Sequence, residues 1–377
     1  MNLKEKIEMF SSLVFPALFF FTMTGRTTGQ ILSCFYEIEN FNVSIIEPSL
    51  CTHIILIGSS DVDNIGHFQE PPNNVTEEFV KLKNRAPVKL LLAVTGNSAH
   101  FTTLVSSEAT MQQFADESFA YLDRSGIDGI DIDWEFPVWS WGAKKSDRTR
   151  FGDLLRILRQ QYGTKKLITV DVAGPPTIAK YSYQADYLNK YADFVQIMSY
   201  DYHVYDPILN PVVGFNSPLR RLPYERGILA KMNSDSSLST YISMGLWKNK
   251  TVFGVPTYGY AYTLFNAFIN EPYSLATGSK GAVTYSMVCP AMLKKKNIDY
   301  KFEWDYPASS PYIHGRDRTW ISYEDPRSVT EKVNYAKEQQ LAGVMVFDLK
   351  SDDYLGLCAN GSYPLIRTIK SVLFDKS

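Results

Sequence analysis

Short runs rich in Val, Ile, Leu, Phe and Tyr recur along this chain at residues 31–36, 52–58, 88–95, 127–134, 167–173, 194–200, 251–256 and 343–349. Each has the length and the β-branched or aromatic content of a buried strand. Between most of them the apolar residues change to helical spacing, as with Met111, Phe114, Phe119 and Leu122 in 110–125. Phe151, Leu154, Leu155 and Leu158 in 147–162, and Val329, Val333 and Ala336 in 328–340, follow the same rule. Eight strand–helix units in succession predict a parallel sheet closed on itself, an α/β chain with a (β/α)8 TIM barrel spanning 29–377. The rhythm breaks once. About 85 residues separate the seventh and eighth runs, far more than an ordinary connection. The Tyr-, Pro- and Gly-rich residues 260–323 are therefore expected to form a small inserted α+β subdomain walling one side of a cleft.

In such a barrel, chemistry sits at the C-terminal ends of the strands, and the fourth run draws attention there. Ile127, Ile130, Ile132 and Trp134 mark a buried strand, while Asp131, Asp133 and Glu135 fall at spacing two. Residues so spaced share a strand face, roughly 6–7 Å apart. Three carboxyls on one face repel one another, and such crowding pushes a carboxyl pKa upward. Glu135 comes last, just before Pro137 ends the ladder, where a proton donor would meet a substrate. Other strand ends carry Asp171, Met198, Tyr200, Asp201, Tyr258 and Tyr260. Singly, each reads as a helix cap or as packing; jointly they would converge on one rim.

Lys and Arg number 38 against 40 Asp and Glu, which leaves no excess of positive charge to draw nucleic acid or an anionic membrane. Residues 1–28, with Lys4 and Lys6 ahead of an apolar run interrupted by Ser11, Ser12 and Pro16, read as a signal peptide or, alternatively, as a type-II anchor. Either places the body in an oxidising compartment, secreted or extracellular. The four cysteines, Cys34, Cys51, Cys289 and Cys358, form an early and a late pair suited to disulfides. They lack the CxxC or HxxxH spacing of a metal site. Sequons at Asn42, Asn74, Asn249 and Asn360 fit a glycosylated, secretory product. No cofactor or metal is called for, and a monomer is expected.

At this point a resemblance enters. Asp128-Gly129-Ile130-Asp131-Ile132-Asp133-Trp134-Glu135-Phe136-Pro137 resembles the DGxDxDWEYP signature of the family 18 glycoside hydrolases, the chitinases and chitinase-like lectins. Met198-Ser199-Tyr200-Asp201 is similar to the family's MxYD, Gly214-Phe215-Asn216-Ser217-Pro218-Leu219 to its GxxSPL, and Gly254-Val255-Pro256-Thr257-Tyr258-Gly259 to its GxPxYG. Residues 343–354 with Gly356-Leu357-Cys358 resemble its closing segment. The resemblance implies disulfides Cys34–Cys51 and Cys289–Cys358, and hydrolysis of β-1,4-linked N-acetylglucosamine in chitin or chito-oligosaccharides, with retention and substrate assistance. It implies Glu135 as proton donor, Asp133 as acetamido partner and Asp131 as the group sharing a proton with Asp133 from beneath. Asp128 would order the strand, Tyr200 and Asp201 would hold the sugar with Met198 and Tyr258 beside them, and Phe347 would floor the subsite.

The departures lie in the platforms. Phe347 stands where the family has Trp, Thr95-Gly96-Asn97 where it has GGW, and Tyr260 where an Arg usually follows the seventh strand. The first strand ends Phe35-Tyr36-Glu37-Ile38, where chitinases usually place a Trp. Trp139, Trp141, Trp247 and Trp320 are candidates to compensate. Two function classes follow: a secreted chitinase, for which every group needed for the chemistry is present, and a non-catalytic chitin-binding lectin or secreted signalling protein. A hydrolase of N-glycan cores is a third variant of the same chemistry.

Overall fold

The computed structural model describes residues 30–38, 42–295, 298–358 and 361–375. Ile31–Glu37, His53–Ile57, Lys89–Val94, Gly129–Ile132, Leu167–Ala173, Phe194–Met198, Thr251–Pro256 and Gly343–Phe347 pair in chain order, and the eighth closes on the first. Every pairing is parallel, so the predicted barrel is the observed one and no sheet edge remains in it. The strands end earlier than the hydrophobic runs suggest. The fourth stops at Ile132, and Asp133 makes one further bond, from its N–H to the Val94 carbonyl. Asp133 and Glu135 thus lie beyond the regular ladder on which their common face was inferred.

Strand alternation sorts the side chains into two cores. Outward-facing Ile130, Ile132, Val170 and Val172 pack beneath helices with Leu154, Leu155 and Leu158 of Asp147–Tyr162. Inward-facing Phe35, Ile55, Leu91, Ala93, Phe194, Val252 and Met345 fill the barrel. The helix Glu108–Ser125 begins at a Ser107–Thr110 capping box and ends at Gly126, whose φ of 74° turns the chain into the fourth strand. Gly129 opens that strand where a Cβ would stand 2.5 Å from the Leu167 carbonyl oxygen. Only glycine lets the fourth and fifth strands approach so closely.

Between the seventh and eighth strands, Tyr258–Leu264, Ala276–Thr284, Lys301–Asp305, Ser310–His314 and Thr319–Ser322 form an antiparallel sheet, accompanied by the short helices Tyr285–Val288 and Pro290–Lys294. Trp320 is the centre of its core, fully buried against Tyr312 at 5.3 Å and Phe215 at 5.9 Å. Its indole N–H donates to the Asn270 carbonyl at 2.9 Å. Disulfides join Cys34 to Cys51 and Cys289 to Cys358, the second tying this insertion to the segment after the eighth strand. Among the described residues no helix is long and apolar enough to cross a membrane. The expected leader, 1–28, and the Asn360 sequon lie outside the described residues.

Candidate active site

The registers of the fourth, fifth and sixth strands build the floor of the site. Asp131 pairs with Thr169, and Asp171 with Gln196, so four polar side chains meet inside a barrel otherwise filled with hydrocarbon. The Thr169 hydroxyl donates to Asp131 Oδ1. Gln196 Nε2 donates to the same oxygen at 3.3 Å and to Asp171 Oδ1 at 3.0 Å, while its Oε1 accepts from Ser33 Oγ at 2.5 Å. Asp131 and Asp171 are thus held side by side through Gln196, and Asp131 Oδ2 is buried without a hydrogen-bond partner among the described residues. Asp133 stands above this pair, and the charge of Asp131 acts on both Asp133 and Asp171.

Burial is the first cause of every pKa shift in this column. It raises Asp131, and it raises Asp171 and Asp133 far more, with the neighbouring carboxylates adding to both. Asp133 is 7% exposed, and its buried Oδ1 has no protein hydrogen-bond partner. Glu135 lines the mouth of the cavity and is exposed to solvent, although protein atoms crowd round its carboxyl. Burial raises its pKa first and the charge of Asp201 second.

Asp201 faces Glu135 from the end of the sixth strand. It is a non-glycine residue with φ 56°, a left-handed conformation that Asp accepts more readily than most residues. One carboxylate oxygen of Asp201 takes two phenols, Tyr258 at 2.6 Å and Tyr260 at 2.9 Å. Tyr200 packs at 6.0 Å from Tyr258 and 5.8 Å from Phe347, its hydroxyl donating to Met345 sulfur at 3.9 Å. These groups enclose a cavity of about 290 Å³ lined by Asp133, Glu135, Asp171, Met198, Tyr200, Asp201, Tyr258 and Phe347, with Ile57, Phe136, Pro175 and Ile178 completing the walls.

The structure therefore gathers Asp133, Glu135, Met198, Tyr200, Asp201, Tyr258 and Phe347 round one cavity, with Asp131 directly beneath. Asp128 is elsewhere. At the opposite end of the strand it accepts from the Leu90 N–H at 2.9 Å and pairs with Lys83 at 2.6 Å and Lys89 at 3.2 Å. Burial opposes its charge, but these donors and ammoniums together hold its pKa below the usual value.

Residues the sequence left unweighted include Thr169, Gln196 and Ser33, which face inward on three different strands and carry no local motif. Tyr260, one of the strand-end residues and the one that stands in place of the family's Arg, donates its phenol to Asp201. Of the four compensating tryptophans, Trp320 is core. Trp247 precedes the seventh strand at the wrong end of the barrel, beside the cation of Lys250. Trp139 and Trp141 remain, 51% and 98% exposed on the loop that follows Glu135. Among the described residues no three His, Cys, Asp or Glu side chains are grouped to hold a metal ion.

The profile of the Glycosyl hydrolases family 18 matches residues 27–352. Chitotriosidase-1 of Mus musculus is 30% identical over 351 residues, 87% of this chain and 73% of that protein. Chitinase-3-like protein 2 of Homo sapiens is 28% identical over 360 residues, 89% of each. The group IV chitinase of Ostrinia furnacalis superposes with a TM-score of 0.85 at 28% identity, covering 92% of this chain and 100% of that one. Human YKL-39, described as a pseudo-chitinase with retained chitooligosaccharide binding properties, superposes at 0.82 with 25% identity and covers 92% and 100%. With the signature, the closed barrel and the profile in agreement over most of its length, this chain belongs to the glycosyl hydrolases family 18.

Proposed function

We propose that this protein cleaves the β-1,4 links between N-acetylglucosamine units of chitin or chito-oligosaccharides, with retention and with the substrate's own acetamido group as nucleophile. The observation that carries this reading is Glu135: a carboxyl at the cavity mouth, its pKa raised by burial and by Asp201, above an Asp133 whose buried oxygen has no protein partner. A raised pKa widens the pH range over which Glu135 carries a proton, the direction a general acid requires.

Glu135 gives its proton to the glycosidic oxygen as the bond to C1 breaks, and the acetamido carbonyl oxygen closes onto C1. Asp133 accepts the acetamido N–H and balances the positive charge of the oxazolinium ring. Asp131, beneath, shares a proton with Asp133 as that charge forms. Glu135, now a carboxylate, takes a proton from the water that opens the ring from the face the leaving group vacated, which preserves configuration. Tyr200, Asp201 and Tyr258 hold the sugar, and Phe347 lies under its apolar face. A carboxylic acid and an internal nucleophile supply both functions of the reaction, so the scheme uses no metal or cofactor. The two disulfides, and exposed Asn42, Asn74 and Asn249 in sequons, support a body that works as a monomer outside the cytoplasm, secreted or anchored.

A binding-only reading uses the same cavity, and Phe347 in the place of the family's Trp is the feature that favours it. Turnover of a fluorogenic chitotriose glycoside decides between them. The hydrolase reading expects Glu135→Gln to lose about 10²–10⁴-fold in kcat while oligosaccharide affinity holds. A wild type no faster than this variant, with both binding, leaves a lectin.

A further inference from the structure

Asp201 has an unusual task. It presents a carboxylate to the cleft from a left-handed backbone at the end of a strand, where its own N–H has no ladder partner. The segment Asn216-Ser217, buried at 1% exposure for each residue, supplies what the ladder does not. Asn216 Oδ1 accepts the Asp201 N–H at 3.0 Å, and the Asn216 carbonyl accepts the Tyr202 N–H at 3.1 Å. Ser217 Oγ donates to the Ser199 carbonyl at 2.6 Å. Three hydrogen bonds from two residues thus bracket the turn 199–202.

The bracket is itself fastened on two sides. The Asn216 N–H donates to Ser322 Oγ at 2.8 Å, and its Nδ2 donates to the Tyr258 carbonyl at 3.3 Å. Both partners belong to the inserted sheet that also sends Tyr258 and Tyr260 to the Asp201 carboxylate. On the other side Ser217 Oγ accepts from Lys332 Nζ at 3.0 Å, and Lys332 is paired with Glu324, both wholly buried. The Asn216 amide accepts at the Asp201 N–H and donates at the Tyr258 carbonyl at once.

Resting on the hydrolase reading above, we infer that Asn216 is a positioning residue for sugar binding and cleavage, acting through Asp201, with Ser322 as the anchor that couples the inserted sheet to the site. A buried ion pair contributes little net stability, so the Lys332–Glu324 pair is better understood as holding Ser217 in place.

The test is a double-mutant cycle on kcat/KM for chitotriose glycoside hydrolysis, with thermal unfolding followed in parallel. Asn216→Ala should lose about tenfold or more, since small misplacements of a binding group are costly, and Ser322→Ala should lose less in the same direction. In an Asp201→Ala background, Asn216→Ala should cost under about twofold, because the group it positions is gone. The pH profile adds a second signature. The groups that face Glu135 are Asp133, Asp171, Tyr183, Tyr200 and Asp201; if the Asp201 charge drifts away in Asn216→Ala, the alkaline limb should move to lower pH.

Equal losses in the two backgrounds, or wild-type kinetics in both Asn216→Ala and Ser322→Ala, overturn the proposal. Should Asn216→Ala fail to fold, the cycle runs on Ser322→Ala. Should the wild type itself turn over no substrate, the hydrolase reading falls, and the same cycle is measured as chitotriose affinity by calorimetry. There non-additivity supports the clamp and additivity rejects it.

Discussion

Glu324 and Asp171 are both buried carboxyls, 2% exposed each, in environments of opposite kind. Glu324 has a cation, Lys332, and a hydroxyl, Ser328, within hydrogen-bonding reach. Asp171 has Gln196 and another acid. At the seam between the inserted sheet and the helix Pro326–Glu338, neutrality comes from an opposite charge, and the result is a fixed geometry. Inside the barrel, burial and mutual repulsion push the Asp171 and Asp133 pKa values well up, which favours the proton-bearing form. A cluster of the first kind has nothing to exchange with a substrate, whereas one of the second kind is already poised to hold and release hydrogen. The difference separates a part that shapes the site from the part to which the proposed chemistry falls.

That contrast can be tested from both ends. The largest effect expected is at the seam: Lys332→Met strands a buried carboxylate and should cost about 3–5 kcal/mol of stability, read as a fall in denaturation midpoint. Adding Glu324→Leu should recover most of it, because an apolar pair of similar volume replaces the ions. If the single variant is neutral, the two regions do not differ as described. In the barrel the sign reverses. The folded-state pKa of Asp171 is raised well above its ordinary value, so its contribution to stability is complete below about pH 4 and lost as pH rises through the folded pKa. Asp171→Asn cannot ionise, and it should raise Tm by about 2 °C or more at pH 7 while losing that advantage near pH 3. Activity should fall in the same variant, since Asp171 lines the cavity with Asp133 and Glu135. For Glu135 the raised pKa places the alkaline limb of kcat above the range of an ordinary glutamic acid, and Asp201→Asn should shift that limb downward. The smallest effect concerns the platform. Phe347→Trp should tighten chitotriose binding by about 0.5–1.5 kcal/mol, measurable by calorimetry.

The barrel was legible because alternation and strand–helix succession are local patterns that each run of residues carries by itself. Glu135 was legible for a related reason: acids at spacing two before a proline have few uses in a buried strand. What escaped was whatever depends on how two strands align. The meeting of Asp131 and Asp171 at Gln196, with Thr169 beside them, exists only in the register between neighbours, which packing sets. The role of Asn216 was hidden differently, since it sits in a long connection and acts on a residue fifteen positions away. Trp320 shows the converse error. An indole in a β-rich insertion fits a sugar platform or a core equally well until the neighbouring Tyr312 and Phe215 are seen against it.

Asp201 also restricts which sequences can occupy this position. Its φ of 56° admits Gly, Asn and Asp at small cost and penalises nearly everything else. Glutamate, the only other side chain with a carboxylate, would retain the charge but strain the backbone and carry its oxygens one methylene too far for Tyr258 and Tyr260. Asparagine keeps the shape and abolishes the charge; glycine keeps neither. A lineage that loses this aspartate has few single steps that preserve the turn, and the most conservative of them removes the field acting on Glu135. Drift from cutting sugar toward merely holding it could therefore begin here, with one substitution that leaves the fold untouched.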